Sequence, residues 1–458
     1  MKTNSSHDVD GELQYQRMLH TPIPKLVTSL AIPTVAAMLI TVVYNTADTY
    51  FVSKINKSAS AAVGAVYAIM AIIQAMGYGL GVGAGALISR KLGQKDNVAA
   101  DTYASSGFFA AVAIGAVITV LGLSVLEPFL RFLGCTDTMM PYAIPYAKFI
   151  LWAAPINCAT FVLNNTLRSE GFSGLAMIGN VVGGVLNMIL DPVFIFGLGL
   201  GTGGAALATM LSQIVSFCTM FYMFACGRSI VHIAPRYISR KLTDYRDIIT
   251  SGLPTICRQG LGSVAAAVLN IQAIGYGGDA AGAAITIANK VYVLVRNICI
   301  GIGQGFQPVA GYNYGAGNKK RTWQSFVFAS KAGSAVCVMF ALVCSIFARE
   351  IMWWFCDDVD VARIGTETLY FACCAMPFLA FSTYVNQIYQ SLGFRGKATF
   401  LASCRQGIFF LPTVLLLPLA VGCVGVQASQ SIADICTFLI SVPFILYFYR
   451  MYIMEKGT

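Results

Sequence analysis

Apolar runs of about 20 residues or more, each long enough to cross the hydrocarbon of a bilayer, follow one another along this chain. They fall at residues 26–51, 59–89, 99–126, 141–164, 171–199, 203–225, 247–275, 280–311, 323–348, 365–390, 397–420 and 423–449. Inside lipid a backbone must satisfy its own N–H and C=O groups, so such runs predict helices. Composition agrees: 11% of the 458 residues are charged, 57% are hydrophobic and the mean hydropathy is +0.70. Soluble domains carry about 25% charged residues. The chain is therefore expected to be an all-α polytopic membrane protein with twelve transmembrane helices.

A net charge of +10 would suggest nucleic acid in a soluble protein. Here the bases sit in short loops between apolar runs, and mostly in loops of one parity: Arg90, Lys91 and Lys95, then Arg228 to Arg246, then Lys319 to Arg321. The opposite loops hold Lys54, Lys57, Arg131, Arg349 and Arg363. That asymmetry predicts a multi-pass protein of the cytoplasmic membrane with both termini inside and no nucleic-acid partner. The polar first 24 residues do not read as a signal peptide. The 14 cysteines lie mainly within apolar runs as small hydrophobes, with Cys135 and Cys356 nearest the outer surface. Histidines occur only outside the runs, at His7, His20 and His232. Proton chemistry within the membrane must rest on carboxylates or tyrosines.

The chain repeats itself. "TSLAIPT" (28–34) echoes "TSGLPT" (250–255), "GVGAG" (81–85) echoes "GIGQG" (301–305), and "SEGFSGLA" (169–176) echoes "SLGFRGKA" (391–398). Two parallel six-helix repeats follow, related by an axis along the membrane normal, an arrangement common in secondary transporters. The predicted organisation is a cytoplasmic segment 1–25, an amino-terminal lobe 26–225, a basic linker 226–246, a carboxyl-terminal lobe 247–449 and a cytoplasmic tail 450–458. No GxxxxGK[ST] loop is present, so the chain carries no nucleotide engine of that kind. The run "GYGLGVGAG" (77–85) lies in a predicted membrane helix, where close helix packing is its expected use.

Four stretches carry a family resemblance: "PIPKLVTSLAIPTVAAMLITVVYNTADTYFVS" (22–53), "LNMILDPVFIFGLGLGTGGAALATMLSQ" (186–213), "GFQPVAGYNYGAGNKKR" (305–321) and "RQGIFFLP" (405–412). The chain resembles the multidrug and toxic compound extrusion (MATE) transporters, most of all their bacterial DinF-like branch. The resemblance implies two six-helix lobes around a central cavity. It also implies efflux of amphipathic, mostly cationic organic compounds in exchange for H+ or Na+, by a protein that works as a monomer without a cofactor. It places a coupling-cation site at Asp48, Asn187, Asp191 and Thr209, which would also hold Na+ if sodium is the coupling ion. Tyr146 and Asn164 are weaker matches. Some branches use acids on the seventh and tenth helices, but here those helices offer Arg258, Gln259, Asn386 and Gln387.

Helix arithmetic tests that site. At about 1.5 Å per residue, Asp191 lies roughly 12 Å from the outer end of its helix, Thr209 roughly 9 Å and Tyr146 roughly 8 Å, with Asp48 near an outer end. Asn187 and Asp191 are one turn apart and share a face. Pro192 removes a backbone donor beside the acid. An ionised acid at mid-membrane costs about 2.5–3.5 kcal/mol on insertion scales, so Asp191 is expected to have a partner or a task. In the second half, Arg258, Lys290, Arg296, Arg405 and Asp434 are expected either to serve structure, through a Lys290–Asp434 pair or Arg caps on backbone carbonyls, or to line a substrate cavity with Gln259 and Asn386. Two other functions are weighed. A lipid-linked precursor flippase would use the arginines. A metal-dependent membrane enzyme would need more than the acidic turn "DDVD" (357–360), which reads as solvated.

Overall fold

The computed structural model describes residues 3–454, which are helical almost throughout, with no strand among them. The chain packs as two units. Unit 1 comprises Met1–Thr21 and Ala36–Ile256, and unit 2 comprises Pro22–Val35 and Cys257–Thr458.

Among the described residues, eleven helices are long and apolar enough to cross a membrane. One of them, α9 (Leu242–Gly315), runs for 74 residues and turns at Gly278, whose φ of 68° and ψ of −167° lie outside the helical region. Glycine adopts that backbone without a Cβ clash. Counting α9 as two crossings gives the twelve expected from hydropathy. The large apolar side chains left exposed are mainly Val, Leu, Ile and Phe, which suit contact with lipid.

Unit 1 holds α1 (Thr3–His20), most of α2 (Ile23–Ser53), α3 (Lys57–Gly93), α4 (Asn97–Ser124), α5 (Leu126–Phe132), α6 (Met140–Ser169), α7 (Ser173–Pro192), α8 (Gly201–Ala225) and the start of α9. Its central helix is α6, which packs on α3, α4 and α8. Unit 2 holds the rest of α9, α10 (Lys319–Ile346), α11 (Ala348–Phe355), α12 (Val359–Leu392), α13 (Arg395–Ser403), α14 (Leu411–Val421) and α15 (Cys423–Phe448). There α12 occupies the central place, against α10 and α15. In α6 and α12, 61% of the most apolar window is buried, against 28–39% in the other crossings. These two helices are wrapped by protein, so they can carry polar side chains that lipid would not tolerate.

The division by packing departs from the division by repeat. The first turns of α2, residues 22–35, belong with unit 2, and residues 242–256 of α9 belong with unit 1. Each crossing point falls one residue after a Pro-Thr pair, Pro33-Thr34 and Pro254-Thr255. Glycines hold both borrowed segments. In unit 1 a Cβ on Gly83 would lie 2.2 Å from the carbonyl oxygen of Ile248, and one on Gly252 would lie 2.1 Å from that of Gly79. In unit 2 a Cβ on Gly305 would lie 2.6 Å from the backbone of Ala31. The repeated "GVGAG" and "GIGQG" therefore serve backbone-to-backbone packing.

The segment 226–246 is stitched onto unit 1. The buried carboxylate of Glu170 accepts hydrogen bonds from the Ser229 hydroxyl at 2.7 Å and the Ile230 N–H at 2.8 Å. Asp101 accepts the His232 N–H at 2.7 Å, and the Ser106 hydroxyl accepts the Ser239 N–H at 2.9 Å. Gln14 of α1 donates to the Glu170 carbonyl at 2.9 Å. The amino-terminal segment, read from sequence only as polar, is thus a helix docked on the same surface. At the other end the last helix continues through Tyr449–Met454 as a wider π-turn. Residues 1, 2 and 455–458, parts of the expected terminal segments, lie outside the described residues.

Candidate functional site

The stretch around Asp191 owes its character to the helical period. On α7 the buried positions are Ser173, Ala176, Gly179, Gly183, Gly184, Asn187 and Asp191, a single stripe of small and polar residues. The exposed positions Ile178, Val182, Val185 and Ile189 form the opposite, lipid-facing stripe. Small residues let neighbours come close: a Cβ on Gly183 would sit 2.9 Å from Ser216 of α8, and one on Gly184 3.0 Å from the ring of Tyr44 on α2. The acid is therefore delivered into unit 1 by the same stripe that brings α2 and α8 against α7.

Beyond Asp191 the helix changes form. Pro192 cannot donate to the Met188 carbonyl, and the next five residues, Val193–Gly197, form a π-turn in which the Leu198 N–H reaches back to Val193 at 2.9 Å. The disturbance expected from the proline is present.

Asn187, Asp191 and Thr209 meet. The Asn187 amide donates to Asp191 Oδ1 at 3.1 Å and to Thr209 Oγ1 at 3.3 Å. Asp191 is fully buried, and its Oδ2 has no hydrogen-bond partner in the protein. Asp48 also holds a buried, unpartnered oxygen, Oδ1. The two carboxylates, with Tyr44 and Tyr146, lie near enough for their charges to act on one another. Tyr146 is itself fully buried, and its hydroxyl points to the Met70 sulfur at 3.8 Å. Buried polar atoms are nearly always paired, and the two orphan carboxylate oxygens of Asp48 and Asp191 depart from that rule. Oxygen donors without thiolate or imidazole suit a hard ion. Among the described residues no three His, Cys, Asp or Glu side chains gather as a metal site.

Asn164 does not join this group. Its amide donates to the Ala176 carbonyl at 3.0 Å, and its oxygen accepts from Arg168, which also reaches the Tyr78 hydroxyl at 3.4 Å. It stands 18 residues from Tyr146 on the same helix, about 27 Å along the axis, too far to share an ion. Asn386 plays the same part in unit 2, donating to the Ala398 carbonyl at 2.6 Å.

The expected pairing of Lys290 with Asp434 is replaced by another. Asp434 accepts from Arg405 Nε at 2.6 Å, from Gln430 at 3.2 Å and from the Tyr292 hydroxyl, which Arg405 also reaches. Lys290 is exposed. It stands two positions before Tyr292, about 200° around the helix, so the face that presents Tyr292 and Arg296 turns Lys290 away. Gln259 is exposed, and Arg258 lies within electrostatic reach of Arg296. Neither Tyr292 nor Gln430 is singled out from sequence; Gln430 stands one turn before Asp434 on α15, a spacing visible in the sequence. In the acidic turn, Asp358 caps α12 by accepting the N–H groups of Asp360 at 2.9 Å and Val361 at 3.1 Å. All fourteen cysteines are free.

The MatE family pattern matches residues 33–193 and again 254–414, once in each repeat. This chain belongs to the MatE family. Its membership makes it a membrane transporter and not an enzyme. It is 24% identical to the multidrug export protein MepA of Staphylococcus saprophyticus and 26% identical to that of Staphylococcus haemolyticus, over 95% of this chain and 94% of each relative. The structure of a multidrug resistance MATE family transporter in an outward-facing conformation is similar to this MatE chain, with a TM-score of 0.90 and 27% identity. The match covers 96% of this chain and 98% of that one. A MATE structure in complex with MaL6 matches with the same TM-score and identity, over 96% and 99%.

Proposed function

We propose that this transporter exports amphipathic, mostly cationic organic compounds from the cell in exchange for H+ or Na+. Asp48, Asn187, Asp191 and Thr209 hold the coupling ion, and Tyr146 borders it. The observation that carries this reading is the pair of orphan oxygens, Asp191 Oδ2 and Asp48 Oδ1, buried in unit 1 beside an amide that is already committed. A charge left there without a partner is costly, and a bound proton or sodium ion removes that cost. Export of drugs by the similar MepA proteins supports the substrate side.

In this reading the carrier alternates its access between the two membrane faces, with both termini in the cytoplasm of a plasma-membrane protein. Drug and coupling ion oppose one another, so inward movement of the ion resets the carrier. The membrane potential contributes about 2.3 kcal/mol per charge per 100 mV, added to the ion gradient.

The test is efflux of a fluorescent organic cation from proteoliposomes under separately imposed proton and sodium gradients. Asp191→Asn is expected to abolish gradient-driven efflux while the protein still inserts. Wild-type rates in that variant would overturn the site. A response to neither gradient in the unmodified protein would overturn the coupling.

A further inference from the structure

Unit 2 carries a second polar cluster at mid-membrane that the coupling site does not use. Asp434 lies eleven residues into α15, and Arg405 lies ten residues beyond the start of α13, so both are about 15–17 Å deep in a hydrocarbon core of about 30 Å. Arg405 occupies the π-turn Cys404–Phe410, a wider stretch of backbone that follows α13 directly. It is tied to Asp434 and to the Tyr292 hydroxyl, and its guanidinium lies 5.7 Å from the Tyr292 ring centre.

The charges of this cluster do not balance. Arg296 stands one turn beyond Tyr292 on α9, within electrostatic reach of Arg258, Arg405 and Asp434. Three guanidinium groups therefore share one neighbourhood. Among the described residues, Asp434 is the one buried acid of unit 2, and both of its oxygens are taken by Arg405, Gln430 and Tyr292. Arg296 Nε is buried and has no acceptor in the protein. The acid is 1% exposed, whereas Arg258, Arg296 and Arg405 all keep some exposure. The cluster therefore presents positive charge and N–H donors, with its acid closed off.

A monovalent organic cation gains nothing from such a cluster. A carboxylate gains charge-assisted hydrogen bonds from planar, forked donors, the geometry that guanidinium groups satisfy in pairs. We infer that Arg296, with Arg258 and Arg405, binds a carboxylate on the transported compound, so that unit 2 favours zwitterionic amphipathic molecules over simple cations. The inference rests on the export reading above and narrows its substrate class. Asp434 acts as a positioning residue: it fixes Arg405 in the neighbourhood of Arg296, whose Nε has no acceptor in the protein.

The experiment compares two probes that differ by one charge, rhodamine B with its free carboxylate and rhodamine B ethyl ester. Each is titrated by fluorescence anisotropy into purified protein in phosphatidylcholine nanodiscs. Unmodified protein is expected to bind the acid about tenfold more tightly than the ester. Arg296→Gln is expected to erase that ratio by weakening the acid, with ester affinity held within about twofold as a check on folding. Arg296→Lys, which keeps the charge without the fork, is expected to fall between. Asp191→Asn should lose gradient-driven efflux yet keep the acid-over-ester ratio, which separates failure of the coupling reading from failure of this one. The inference is overturned if unmodified protein prefers the ester or binds neither dye. Equal weakening of both dyes by Arg296→Gln, which would mark a packing role, also overturns it. So does loss of the acid's advantage when phosphatidylglycerol replaces part of the phosphatidylcholine, because the cluster would then be a lipid phosphate site.

Discussion

Asn164 and Asn386, 222 positions apart, make one and the same hydrogen bond: each amide donates to the backbone carbonyl twelve residues ahead, at Ala176 and at Ala398. The bond ties the end of one unit's central helix to the start of the next helix. It makes both asparagines parts of the frame.

Asn164→Ala and Asn386→Ala should each remove one buried hydrogen bond between helices, at a cost of about 0.5–1.5 kcal/mol. Thermal unfolding in detergent checks the loss. Transport by Asn164→Ala should keep its dependence on the ion gradient; a lost gradient response would return Asn164 to the coupling site.

Thr209→Val keeps the shape of the side chain and removes the oxygen that accepts from Asn187. The amide then has only Asp191 to hold it, and ion binding is expected to weaken about three- to tenfold, corresponding to the loss of one ordinary hydrogen bond. The half-saturating ion concentration for efflux measures this. An unchanged value would remove Thr209 from the site.

Glu170 supplies a pH dependence outside the membrane spans. Burial pushes its carboxyl up to about 8, against the hydrogen bonds from Ser229, Ile230 and Val231 that pull it down, while nearby Asp101 raises it further. Because the folded value lies above the ordinary 4.5, the folded state holds the proton more tightly. That contribution to stability is complete below about 4.5 and fades as pH rises through about 8. Glu170→Gln, which stays neutral, should therefore gain in Tm relative to the unmodified protein as the pH is raised from about 5 to about 9. Limited proteolysis across 226–241 reports the same change locally. A Tm difference that is flat with pH would refute it.

Gly83→Ala and Gly64→Ala should move stability in opposite directions, although both lie on α3. A methyl at 83 meets the Ile248 carbonyl, whereas nothing stands within 4 Å of one at 64. The first should cost about 1–3 kcal/mol or more through forced helix separation. The second should add about 0.5–1 kcal/mol by stiffening the unfolded chain. Thermal unfolding of the two variants side by side decides it.

The twelve crossings were legible because a bilayer imposes one length and one polarity on every segment, and even the merged α9 shows its two spans in hydropathy. The meeting of Asn187, Asp191 and Thr209 was implied by the family resemblance, and helical spacing and depth agreed with it. Other features were hidden for definite reasons. Asn164 matched a family pattern, but its place five residues from the end of α6 already set it far from Asp191. Lys290 and Asp434 are opposite in sign and similar in depth, and only the angular position on α9 separates the false pair from the true one with Arg405. The exchange of residues 22–35 and 242–256 leaves no mark in hydropathy, since a repeat identifies equivalent segments without saying which unit each one packs in.

The glycine contacts that hold α2 also set an order in time. Ala31 packs on Gly305, a residue made about 270 positions later in the chain. At roughly 5–20 residues per second of synthesis, the first crossing waits on the order of a quarter of a minute to a minute before its partner exists. Throughout that interval the opening turns of α2 have only lipid or the insertion machinery for company, and the proline-threonine step at 33–34 is where a nascent protein joins a settled segment to one still waiting.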